Sequence, residues 1–130
     1  MTFVDTNVVL DVLSDDPVWA DWSTEALVRT SPPRRLSPIV YAELAGRFAS
    51  RLDLDRELTQ LKLSVEDARA EALFRAGQAH AEYRRRGGLR EKMLPDFLIG
   101  AQALDREALL ITRDTRRFRT AFPDLELVSP

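Results

Sequence analysis

An α/β fold around a mostly parallel central sheet of four to five short strands is predicted by three observations. Short apolar, strand-like stretches at residues 3–5, 36–37, 108–112 and 125–128 alternate with longer stretches of helical period. Proline and glycine punctuate their boundaries, at Pro17, Pro32-Pro33, Pro38, Gly87-Gly88 and Pro95. Carboxylates recur where a strand should end or a helix begin, as they do at ligand-binding edges of parallel sheets.

The elements follow in order. Residues 3–5 read as a buried strand, and residues 8–13 as the start of a helix that Asn7 can cap. Pro17 opens a second helix with Trp19, Trp22, Leu27 and Val28 on its apolar side, and Ser31-Pro32-Pro33 stops it. Leu36 and Ser37 form a weak second strand. Pro38 suits the first position of the next helix, where Val40, Leu44 and Phe48 recur at four-residue steps. Asp53 can cap a helix running to about Leu63.

Ser64-Val65-Glu66-Asp67 matches a capping box. The helix after it carries Ala72, Ala76, Ala79 and Tyr83 on one face, a pattern for close packing on another helix, and Gly87-Gly88 ends it. A basic surface loop is expected over residues 84–92. Pro95 starts a helix with Phe97, Ala101 and Leu104 on one stripe. Residues 108–112 are the clearest buried strand, Asp114 opens a short helix, and residues 125–128 close the sheet.

The 130 residues fit one domain, 1–130, and the 45% hydrophobic fraction supports a packed core. The chain has no cysteine, which excludes disulfides, zinc–thiolate sites and thiol nucleophiles. Apolar runs reach only about four residues, far below the roughly 20 that span a bilayer. No secretory signal is legible, so a cytoplasmic location without membrane contact is expected. The formal charge of −2 names no partner. Arginines do cluster, at Arg34 and Arg35, at Arg84–Arg86 with Arg90 and Lys92, and at Arg113, Arg116, Arg117 and Arg119. Such clusters are either solvated faces or contacts to phosphate.

Four acids carry the chemistry. Asp5 ends the first strand, Glu43 lies in the second turn after the second strand, Asp96 in the first turn of its helix, and Asp114 just past residues 108–112. Each has a plain alternative: a turn bond to the Thr6 or Asn7 backbone for Asp5, an ion pair with Arg47 for Glu43, the helix dipole for Asp96, and an N-cap for Asp114. Together they fall on one sheet edge. Two charges about 5 Å apart at an effective dielectric of 20 repel by about 3 kcal/mol. Several such pairs weigh heavily on a domain stable by about 5–15 kcal/mol, so protons or cations must compensate. Oxygen ligands without Cys or nearby His suit Mg²⁺ or Mn²⁺, which polarise a phosphoryl oxygen and activate water. Thr6, Asn7 and Thr112 stand beside the acids as supporting residues, with Ser37 near them. His80, the only histidine, sits mid-helix among alanines and reads as structural.

The segments FVDTNVVLDVL, SPIVYAELAG, LPDFLIGAQAL and LLITRDTRRF, in this order and at these spacings, resemble the PIN domain, in particular the VapC toxins of bacterial toxin–antitoxin pairs. The resemblance runs from Phe3 to about Val128. It implies a PIN-like, Rossmann-type α/β/α sandwich and an endoribonuclease dependent on Mg²⁺ or Mn²⁺ that hydrolyses RNA phosphodiester bonds through a metal-activated water. It also implies a homodimer held inactive by a cognate, VapB-like antitoxin. The catalytic and metal-holding acids carry over as Asp5, Glu43, Asp96 and Asp114. Two departures stand out: Gln102 where relatives often have His, and Arg117 where some members place the last acid.

Two rivals remain. A phosphatase using Asp5 as nucleophile needs a second acid near Asn7 and a late lysine, and both are missing. The other is a catalytically inert PIN-like module that binds RNA or protein, which a divalent-dependent activity would exclude. Apolar surface on the Trp19–Trp22 helix and near residues 54–63 is a further reason to expect a homodimer.

Overall fold

The structure is a computed structural model that describes residues 1–88 and 93–130. Among these, five strands form one sheet: Thr2–Val4 (β1), Arg34–Leu36 (β2), Leu63–Val65 (β3), Leu109–Ile111 (β4) and Leu127–Val128 (β5). Their order is β3-β2-β1-β4-β5, and every neighbouring pair is parallel. Parallel neighbours need long crossovers, which helices supply. These are Thr6–Leu13 (α1), Ala20–Arg29 (α2), Pro38–Ala45 (α3), Arg51–Gln60 (α4), Ala70–Arg85 (α5), Met93–Asp105 (α6) and Thr115–Ala121 (α7).

Thr2, Phe3 and Val4 are all fully buried, so both faces of the central strand are covered. The core joins Phe3, Val4, Val8 and Val9 to Leu36, Val40, Leu44, Phe97, Ile99, Leu110, Ile111 and Phe118. The chain winds outward from β1 to β2 and β3, then crosses back to β4 on the other side of β1. That reversal opens a crevice beyond the carboxyl ends of β1 and β4, where an open parallel sheet binds its ligand. No helix among the described residues is long and apolar enough to cross a membrane.

Several boundaries differ from the sequence reading for local reasons. Strand β1 stops at Val4, and Asp5 rather than Asn7 caps α1, its carboxylate accepting from the Thr6 N–H. Helix α2 begins at Ala20 rather than Pro17, because the Asp16 carboxylate accepts from the Val18 and Trp19 N–H groups and holds a turn there. Strand β2 includes Arg34 and Arg35, and Ser37 becomes the N-cap residue of α3. Helix α3 ends at Ala45, leaving Phe48 beyond it but packed on the core. Ser50, not Asp53, caps α4, which stops at Gln60.

The expected capping box does not cap a helix. Lys62 turns the chain with φ 58°, Leu63 pairs with Arg34, and α5 starts only at Ala70. The reading of α5 holds: Ala72 and Ala76 are buried and let it pack closely on α6, whose Phe97 ring lies 5.7 Å from both His80 and Tyr83. Helix α6 begins before Pro95, and burial of Phe97, Ile99, Ala101, Gln102 and Ala103 wraps well beyond one stripe. Arg84 and Arg85 belong to α5, whereas Arg90 and Lys92 of the expected basic loop lie outside the described residues. Leu54, Leu58 and Leu63 are buried within the chain, so the apolar surface expected there is not exposed.

Candidate active site

Asp5 is 4% exposed at the end of β1. One carboxylate oxygen accepts from the Thr6 N–H at 2.7 Å and the other from the Thr112 hydroxyl at 2.7 Å. Thr112, fully buried after β4, in turn accepts from the Asp114 N–H at 3.0 Å. The two strand ends are thus tied across the crevice by one hydroxyl. Burial raises the Asp5 pKa, and the Glu43 charge adds to that, against the Thr112 bond, the Arg117 charge and the Thr6 N–H.

Asp96 is 5% exposed in the first turn of α6. Both its oxygens lie 2.9 Å from Nη1 of Arg117, whose Nε donates to Asp114 at 2.7 Å. Burial pushes the Asp96 carboxyl up to about 6, and the charges of Asp5 and Glu43 add to it, although Arg117 pulls the other way. The guanidinium is itself held charged: burial opposes its charge, but Asp96 and then Asp114 outweigh that and raise its pKa. Glu43 is exposed on α3 and accepts from the Thr6 hydroxyl at 2.8 Å. Because its charge bears on both Asp5 and Asp96, it faces the same crevice.

The four predicted acids therefore surround one edge, but they do not close into a ligand cage. Among the described residues, no three His, Asp or Glu side chains are gathered tightly enough to hold a metal ion. Asp5 is engaged in capping, Glu43 with Thr6, and Asp96 and Asp114 with Arg117. The donor chemistry suits a hard divalent cation, since oxygen ligands alone face the crevice. Arg117 brings positive charge there, spanning Asp96 and Asp114 and acting electrostatically on Asp5. Asp114 is the N-cap residue of α7 but makes no side-chain cap bond, so its capping alternative is not realised. Asn7 lies beside this edge with Oδ1 3.5 Å from the Arg113 N–H. Ser37 is buried and makes no cap bond.

Two participants escaped the sequence reading. Arg117 appeared there within an arginine cluster and as a departure from a pattern, not as a partner of the acids, yet it joins Asp96 to Asp114. Asp11, 3% exposed on α1, holds the Ser23 hydroxyl at 2.7 Å and Arg113 through two bonds at 2.8 and 3.1 Å. An acid embedded among Val8, Val9 and Val12 was the available signal. Arg113 also lies over the Trp19 ring, 5.0 Å from its centre, so it is an internal brace rather than a free phosphate contact. Arg34 likewise donates to the Val28 and Thr30 carbonyls, and Arg35 to Ser64. Gln102 is buried away from the acids and donates to the Glu66 carbonyl at 2.7 Å.

The PIN domain family matches residues 2–123 of the chain. Among solved structures, the chain is similar to a toxin–antitoxin complex from Klebsiella pneumoniae, with 23% identity and a TM-score of 0.74 over 98% of this chain and 96% of that one. It is similar to VapBC-1 from nontypeable Haemophilus influenzae, with 24% identity and a TM-score of 0.73 over 98% and 96%. It is also similar to VapBC2 from Rickettsia felis bound to a DNA fragment from their promoter, with 22% identity and a TM-score of 0.72 over 99% and 98%. At these identities the likeness is one of fold. No curated protein matches the sequence at a significant level.

Proposed function

The chain belongs to the PIN domain family, and from that premise we propose that it is the VapC-like toxin of a type II toxin–antitoxin pair, an endoribonuclease dependent on Mg²⁺ or Mn²⁺. The observation that carries this is the convergence of Asp5, Asp96 and Asp114 with the Glu43 charge on the crevice beyond β1 and β4, with the Arg117 guanidinium among them. Asp5, Glu43, Asp96 and Asp114 are the residues that would hold a divalent ion. When bound, such an ion polarises a phosphoryl oxygen and makes water a nucleophile near neutral pH. Thr112 fixes the Asp5 carboxylate, Thr6 steers Glu43, and the exposed Arg116 and Arg119 on α7 would attract the RNA backbone. A VapB-like antitoxin as partner rests on the toxin–antitoxin complexes that share the fold. A homodimer and a cytoplasmic location complete the reading.

The test is cleavage of total cellular RNA with Mg²⁺ or Mn²⁺ and with EDTA. Fragments that require the cation and vanish in Asp5→Asn support the nuclease, and sequencing their ends identifies the cut site. The pairing of Arg117 with Asp96 favours a second reading, an inert PIN-like binding module. Intact RNA under every divalent condition would decide for it.

A further inference from the structure

We propose that Arg117 is a tethered counter-cation that competes with the divalent ion for Asp96 and Asp114, so that this chain sets its own threshold for metal loading. The proposal rests on the metal-dependent reading above and extends it to a residue which that reading does not require.

The geometry supports competition rather than a passive surface pair. Nη1 of Arg117 lies 2.9 Å from each Asp96 oxygen, and Nε donates to Asp114 at 2.7 Å, so one planar group engages two carboxylates from different elements. Arg117 is only half-buried, and Asp96 is almost wholly buried, so the guanidinium caps the acid from the open side of the crevice. Its charge also reaches Asp5. An incoming cation would need the same oxygens. For it to bind through Asp96, the guanidinium must leave.

The side chain has room to withdraw. Arg117 borders a cavity of about 260 Å³ lined also by Tyr83, Phe97, Arg116, Thr120 and Ala121. Tyr83 and Phe97 are among its lining residues, and the face of an aromatic ring attracts a guanidinium as an alternative to carboxylates. Arg86 and Arg116 line the same cavity and repel an added cation, which biases Arg117 back toward the acids. The balance between the two positions weakens apparent metal affinity by the fraction of molecules in which the acids are free. If the closed form outweighs the open by tenfold, the apparent Kd is weaker by about tenfold.

The experiment is calorimetric titration of the full chain with Mn²⁺, comparing wild type, Arg117→Gln and Arg117→Lys, with Asp96→Asn reporting whether binding uses this site. Melting in EDTA is followed in parallel. Arg117→Gln should bind Mn²⁺ about tenfold more tightly or better, and melt lower than wild type in EDTA, where its acids lose their counter-charge. Arg117→Lys, whose ammonium cannot span two carboxylates, should fall between the two, and it carries the test if Arg117→Gln does not fold. Binding that Asp96→Asn abolishes but that is equal or weaker in both Arg117 variants would overturn the proposal and leave the metal reading intact. Absence of any Asp96-dependent Mn²⁺ binding in every form would overturn both.

Discussion

Arg113 grips Asp11 through two hydrogen bonds, Nε at 2.8 Å and Nη2 at 3.1 Å, and so fastens the turn after β4 to the first helix. Asp11 is 3% exposed, and without Arg113 it would keep only the Ser23 hydroxyl. Arg113→Ala should therefore destabilise the protein by about 2–3 kcal/mol, as expected when a charged hydrogen-bonding partner is removed from a buried acid. Urea unfolding measures this. A midpoint unchanged from wild type would return Arg113 to the pool of free surface arginines.

Asp96 predicts a pH signature. Burial lifts its folded pKa to about 6, well above the ordinary carboxyl value of 3.8, so the folded chain binds more protons between those values. The Asp96 contribution to stability is then greatest below about pH 4 and is lost as pH rises through 6. Asp96→Asn cannot titrate. In EDTA it should melt at or above wild type at pH 7, and its advantage should disappear by pH 4. An acid serving only the helix dipole would give the opposite trend, with the mutant losing about 0.3–1 kcal/mol as pH rises. Thermal melts at both pH values separate the two.

The parts of the fold that were legible are those where one physical signal dominates. Residues 108–111 are continuously apolar because they run into and form the inner strand β4, and alanine spacing marked the face of α5 that meets α6. Strand β3 was missed because it is only three residues long with Leu63 alone buried, and Ser64 and Val65 matched a capping box instead. Asp16 and Ser50 were missed as turn and cap residues because nearby Pro17 and Asp53 offered equally good local signals. The placement of Asp5, Asp96 and Asp114 was legible because each stands at a strand end or a helix start, which the topology brings to one edge, with Glu43 a turn further along α3. Arg117 was not legible as their counter-ion, since its distance to Asp96 depends on how α7 packs on α6.

That packing has its own test at Gly100 on α6. A Cβ built there would lie 2.6 Å from the Phe122 ring and 3.2 Å from Phe118. Helix propensity favours alanine by about 1 kcal/mol, but overpacking costs about 1–3 kcal/mol and pushes α7 outward. Gly100→Ala should destabilise, whereas Gly77→Ala, with nothing within 4 Å, should stabilise. Two stabilising substitutions would mean that the aromatic contacts on α7 yield without cost.

Thr112 provides the last prediction, because its hydroxyl serves two partners at once. It donates to Asp5 at 2.7 Å and accepts from the Asp114 N–H at 3.0 Å in a fully buried position. Thr112→Val keeps the shape and removes both bonds, leaving groups whose unmet hydrogen bonding costs about 1–3 kcal/mol each when buried. Thr112→Ser keeps the hydroxyl and loses a methyl group, a change of about 1 kcal/mol. The valine variant should therefore be the less stable of the two. The pH dependence sharpens the distinction. The Thr112 bond lowers the Asp5 pKa, which burial has already raised, so its loss raises that pKa further. A carboxyl with a higher folded pKa loses stability as pH rises, so the deficit of Thr112→Val should be larger at pH 8 than at pH 4.5. Chemical denaturation of wild type and both variants at these pH values is sufficient. Equal losses in the two variants, with no change in the gap between pH values, would show that the hydroxyl does no more than any strand-end threonine and that Asp5 does not depend on it.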